Sequence, residues 1–197
     1  MSAYAFGLIT PRDFLEKARR EIRRLERVSA QASSTAQAVE LQDLAINAAW
    51  TIWHVSDWIA RSPESKYADA IERIRLERPS LKTAPLQIVQ EHILDNSHMA
   101  LCEALANGAK HFVLRDSPSL NSSSLFTQGS ASSRGSSATV TLDADVTVKS
   151  DITVYAGVAI APQYVAKLRI NGVALPALDA FKGALAYWDK FFETYKL

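Results

Sequence analysis

The chain has 197 residues, enough for one domain or for one domain with a sizeable appendage. Hydrophobic residues make up 48% and charged residues 22%, with seven Gly and seven Pro, which excludes wholesale disorder, collagen and low-complexity classes. Lys plus Arg number 22 against 21 for Asp plus Glu, so the chain lacks the basic excess of a dedicated duplex-DNA binder. Cys102 is alone, which rules out an intrachain disulfide and a cysteine-based zinc site. The first residues show neither a basic n-region nor an apolar run long enough for a signal peptide, and no stretch approaches a membrane span. The expected location is the cytoplasm.

Thr10-Pro11-Arg12-Asp13 opens the first element with an N-cap Thr, a Pro at the first helical position and an acid three residues after the cap. Phe14, Ala18, Ile22, Leu25 and Val28 then form one apolar stripe. Its outer face carries Arg12, Lys17, Arg19, Arg20, Arg23, Arg24 and Arg27 among Asp13, Glu16, Glu21 and Glu26. Opposite charges at three- and four-residue spacing read as a solvated, salt-bridged face.

The second helix is the strongest helical signal, with Leu41, Leu44, Ala48, Ile52, Val55 and Ile59 recurring every three or four residues. Ser62-Pro63 ends it, a third helix runs to about Arg78, and a fourth is expected from Thr83–Pro85 through Leu105 to Gly108. Short connections between four helices imply an antiparallel bundle over 1–116.

Between Ser117 and Ala138 stand ten serines and two glycines, a segment expected to be a loop or linker. Beyond it the apolar period becomes two. Val140, Leu142, Val146 and Val148, then Ile152, Val154, Val158 and Ile160, alternate with small or polar residues. Val165–Ile170 leads into an Asn171-Gly172 hairpin turn. Phe181, Leu185, Trp188 and Phe192 mark a last helix too apolar on one side to stand free. The reading is an α+β protein: a mainly helical antiparallel bundle, then over 139–197 a small antiparallel sheet and a C-terminal helix packed on the bundle.

The residues suited to chemistry lie on the second helix and at the end of the fourth. Asn47, Trp50, His54, Asp57, Trp58 and Arg61 form a second stripe, about 130° around the axis from the Leu/Ile face. His54 and Asp57 are one turn apart, a spacing at which a carboxylate can orient or charge an imidazole. His92, Asn96, Met99, Glu103 and Lys110 are expected near one face of the fourth helix. Lys110 and His111 pair a cation with a base that titrates near neutrality. His54, Asp57, Lys110 and His111 are thus the candidate catalytic residues, and Asn107, Trp50, Trp58 and Arg61 the candidate binding residues. No metal site is assigned and no cofactor is expected: Walker A, GxGxxG, GxSxG and HExxH motifs are all absent.

The segment Ala106-Asn107-Gly108-Ala109-Lys110-His111 resembles the R-N-x-x-x-H motif of HEPN proteins, helical-bundle ribonucleases and binding modules of toxin–antitoxin and defence systems. In that family Arg and His act together at a dimer interface to cleave RNA without metal. The resemblance assigns Asn107 and His111 to the family's polar and His positions, with Ala106 where the Arg would stand. That exchange removes the cation that would stabilise the phosphoryl transition state. WHVSDW, LANGAKHF and ALAYWDKFF also resemble a family of uncharacterised bacterial proteins of similar length, which implies no activity. TIWHVSDW is loosely similar to the first His region of DinB-like metal-binding bundles.

The favoured function is a non-enzymatic interaction or regulatory protein of bacterial or phage origin, in a toxin–antitoxin or defence context. Its partner would be a protein or a second copy of the chain, with RNA less favoured and no membrane. Two enzymatic alternatives stay open. One is a metal-independent HEPN-like ribonuclease using His111 and Lys110, and the other is a metal-dependent hydrolase using His54, Asp57 and His111.

Overall fold

A computed structural model of the chain describes residues 7–31, 35–80, 84–110, 126–133, 136–147, 163–170 and 173–197, with side chains at 7–31, 37, 40–80, 84–107 and 176–197. Its six helices are α1 (Pro11–Gln31), α2 (Thr35–Arg61), α3 (Ser65–Glu77), α4 (Pro85–Ile93), α5 (Ser97–Lys110) and α6 (Ala177–Thr194).

The start of α1 follows the capping chemistry of its sequence. Asp13 N–H donates to Thr10 Oγ1 at 3.1 Å, while Asp13 Oδ2 accepts from the Thr10 N–H at 2.8 Å and the Ile9 N–H at 3.1 Å. These bonds satisfy donors that a helix start leaves orphaned. Hydrogen bonds from the Thr10 and then the Ile9 backbone hold the Asp13 carboxyl below its ordinary value. A carboxyl depressed in the folded state contributes stability that is present above the unfolded pKa and is lost as pH falls through the folded one. Asp13→Ala is therefore expected to cost about 1 kcal/mol at neutral pH, with the gap from wild type narrowing in urea melts repeated towards pH 2.

From this cap, α1 buries Phe14, Leu15, Ala18, Ile22 and Leu25 and packs along α2. The central element is α2. Leu41, Leu44, Ala48, Ile52, Val55 and Ile59 are all buried, and so are Ala45, Ala49, Thr51, Trp53 and Ser56. A helix apolar around most of its circumference belongs inside a protein, and α2 touches all five other helices. Its two buried hydroxyls are accommodated locally. Ser56 Oγ donates to the Trp53 carbonyl at 2.8 Å, and Thr51 Oγ1 accepts from Lys17 Nζ at 2.7 Å.

The expected fourth helix is two helices. Asn96 Oδ1 accepts from the His98 N–H at 3.0 Å and the Met99 N–H at 3.2 Å, so Asn96 caps the start of α5. Its side chain competes with continued helix and stops α4 three residues earlier. His92 and Lys110 therefore do not share one helix face, and His98 faces α6 instead. An ideal Cβ on Gly183 would lie 2.6 Å from the His98 ring, so the two helices approach closely there because position 183 has no side chain.

The apolar stripe of α6 closes the helical body. Phe181, Leu185, Trp188 and Phe192 are buried, and Trp188 Nε1 donates to the Ile52 carbonyl of α2 at 3.0 Å. Across the surface, Lys182 Nζ lies 2.7 Å from Glu26 Oε1 of α1, and Arg19 pairs with Asp189. The end of α6 is a Schellman motif: Leu197 N–H donates to the Phe192 carbonyl at 2.9 Å and Lys196 N–H to the Glu193 carbonyl at 3.2 Å.

The described core is helical throughout. The buried side chains that are described lie on these six helices and at Leu197. The expectation of an α+β fold, with an antiparallel sheet sharing the bundle's core, is overturned: among the described side chains each helix buries its stripe against other helices, and the described body is all-α. The physical reason is that the aromatic stripe of α6 packs against α1, α2 and α5, so the described apolar faces close on one another. The expected strand residues Val140–Ile160 and the Asn171-Gly172 turn lie outside the residues with described side chains, as does the Ser-rich segment 117–138.

Candidate functional site

The second stripe of α2 exists as a surface feature, held by aromatic stacking. His54 and Trp50 stack with ring centroids 4.2 Å apart and planes 22° apart, and Trp50 remains 39% exposed. One turn on, Trp58 stacks on Phe14 of α1 at 5.1 Å. Neither ring meets Trp188, whose aromatic neighbours are Tyr187, Phe191 and Phe192. Asp57 faces Arg61, with Oδ1 3.9 Å from the guanidinium. Asp57, Trp58 and Arg61 line an open pocket of about 320 Å³ with Ile9, Pro11 and Pro63. Its walls are apolar, and its rim carries one carboxylate and one guanidinium.

The proposed catalytic group is not assembled by what is described. His54 and Asp57 share α2, but Lys110 is described in its backbone alone and His111 lies outside the described residues. Asn107 makes a local contact, donating from Nδ2 to Glu103 Oε1 at 3.3 Å, while burial raises the Glu103 carboxyl. Ala106 is fully buried, so an Arg at that position would place a guanidinium in the core, at a large desolvation cost. Burial likewise pushes the Cys102 thiol far up, which leaves it inert as a nucleophile. Among the described residues, no group of three His, Cys, Asp or Glu could hold a metal ion.

The charged face of α1 is partly neutralised. Lys17 pairs with Glu21, Arg19 with Glu16 and Asp189, and Arg24 with Glu40. Exposed pairs of this kind stabilise little, and they agree with the reading of a solvated face.

A second polar constellation was not assembled by sequence reasoning. Tyr195 donates its hydroxyl proton towards Glu77 Oε2 at 3.3 Å and lies 3.4 Å from His92 Nε2. A hydroxyl has one proton to give, so His92 must donate from Nε2, which leaves Nδ1 bare when the ring is neutral. Burial first, and then the Arg78 guanidinium, lower the His92 pKa, favouring that neutral ring. His92 Nδ1 is buried without a hydrogen-bond partner. Burial also raises both neighbouring phenols to about 12 at Tyr187 and Tyr195, with Glu77 adding to the effect at Tyr195. Three helices and their ends bring these residues together, α3, α4 and α6. The only sequence signal was the dense Tyr187–Tyr195 run of aromatic and polar residues, whose second face the Phe181–Phe192 core stripe left unexplained.

Comparison with known protein families, curated proteins and solved structures finds no match. No described helix is long and apolar enough to cross a membrane.

Proposed function

We propose that the chain is a non-enzymatic interaction protein that engages a protein partner through the outer stripe of α2. The observation that carries this reading is the pocket bounded by Asp57, Trp58 and Arg61. A tryptophan wall, an exposed guanidinium and a neighbouring carboxylate are the residue types that concentrate binding energy at protein interfaces. Exposed Trp50, stacked on His54 one turn away, extends the same surface, and Ile9, 61% exposed, adds an apolar edge beside the pocket. Stacking fixes both tryptophans before a partner arrives, which lowers the ordering cost of association.

The reading is tested by selecting peptides from a random display library on the intact protein. Selected peptides should converge on a common sequence, compete with one another, and lose about tenfold or more in affinity against Arg61→Glu. The Arg61 side chain is 78% exposed, so the variant should lose no more than about 1 kcal/mol, from the Asp57 pair and the helix end, and stay folded. Peptides without a consensus, or with affinities indifferent to Arg61→Glu and Trp58→Ala, would overturn the assignment.

A further inference from the structure

The groove between α4 and α6 has the composition of a small-ligand site, and it lies on residues the α2 surface does not use. Its volume is about 480 Å³, within the range of ligand pockets. Phe191, Tyr195 and His92 supply a wall of three rings, with Phe191 and Tyr195 4.7 Å apart between centroids. Tyr187, Lys190 and Asn96 line the same groove, which brings a hydroxyl, an ammonium and a side-chain amide to its lining. The oxygen of that amide is committed to capping α5, so only its NH₂ faces outward use. None of the three donors gives a hydrogen bond to the described protein. The Tyr187 phenol is protonated at neutral pH, as any phenol is, and so is a donor.

The charges nearby select the ligand further. Arg73 is paired with Glu77 at 3.0 Å, and Arg78 with Asp95. Lys190 has no ion partner among the described residues and is the one Lys or Arg lining the groove. A surplus of one cation suits a single negative charge better than a polyphosphate.

We infer that this groove binds a small aromatic carboxylate, its ring against the partly exposed rings of Tyr195 and His92 and its carboxylate held by Lys190, Tyr187 and Asn96. Planar rings stack on aromatic side chains, and a carboxylate accepts from several donors at once. The inference is independent of the α2 surface.

The test uses 2-naphthoate as probe on the intact chain, with 2-naphthylmethanol and 2-naphthylmethylamine as neutral and cationic counterparts, read by ligand-observed NMR titration. Naphthoate should bind about tenfold or more tighter than the alcohol, and the amine should bind weakest. Lys190→Gln, an exposed change that should leave the fold intact, should bring naphthoate down to the level of the alcohol. Tyr187→Phe should weaken naphthoate and leave the alcohol nearly unchanged. Arg61→Glu, on the α2 surface, should alter neither. Equal binding of the acid and the alcohol, no binding of either, or naphthoate affinity unchanged in Lys190→Gln would each overturn the site.

Discussion

Trp188→Ala is expected to lower the free energy of unfolding by about 3–5 kcal/mol, the range for deleting a fully buried large aromatic. Trp188 has no exposed surface and contacts Phe191 and Phe192 edge-on, at centroid separations of 5.2 and 6.3 Å. Its indole N–H is the hydrogen bond that ties α6 to the middle of α2. Trp188→Phe separates the two contributions. It retains most of the buried ring and loses the bond to the Ile52 carbonyl, at about 1 kcal/mol, together with a smaller cavity. Urea denaturation of both variants measures the difference. If Trp188→Ala costs no more than about 1 kcal/mol, α6 is not part of the cooperative core and the all-helical body described above is wrong.

Much of that body was legible in the sequence because helix periodicity reports which residues face inward. Every member of the Leu41–Ile59 stripe is buried, as is each of Phe181, Leu185, Trp188 and Phe192. The Thr10–Asp13 cap was legible for a different reason: its partners lie within four residues, so sequence spacing is enough to pair them. The break at Asn96 was missed because apolar residues continue through it, with Ile93 and Met99 both buried, and one capping side chain outweighs a weak periodic trend. The sheet expectation failed because a period of two shows how a strand would expose its faces. It does not show whether those faces have a core to join.

The candidate site divides along the same line. The Trp50–His54 and Asp57–Arg61 neighbours sit four residues apart on one helix and could be read directly. The contacts among Glu77, His92 and Tyr195 span 118 residues from Glu77 to Tyr195, and no local pattern announces a meeting of three helices. His92 and Asn96 were noticed, but on a continuous helix that does not exist. Their true partners on α6 became visible only once Asn96 was seen to turn the chain.

Leu197→Ala is expected to cost about 2–4 kcal/mol, within the range for truncating a buried leucine. Leu197 is only 4% exposed, and the backbone that carries it is closed twice. Its N–H donates to Phe192, and its carbonyl accepts from the Arg12 guanidinium, which also lies 5.2 Å over the Phe192 ring. A hydrophobic contact between Leu197 and Phe192 is the usual companion of the Schellman motif, so the variant loses the contact that seats this turn against the start of α1. Lys196, just before it, holds φ at 55°, a conformation that L residues adopt at a cost and glycine adopts freely. Lys196→Gly should therefore move stability the other way, by a few tenths to about 1 kcal/mol. Opposite signs at adjacent positions distinguish a seated turn from a frayed end. In a frayed end, both substitutions would leave the thermal midpoint where it was, and that result would remove the link drawn here between α1 and the end of α6.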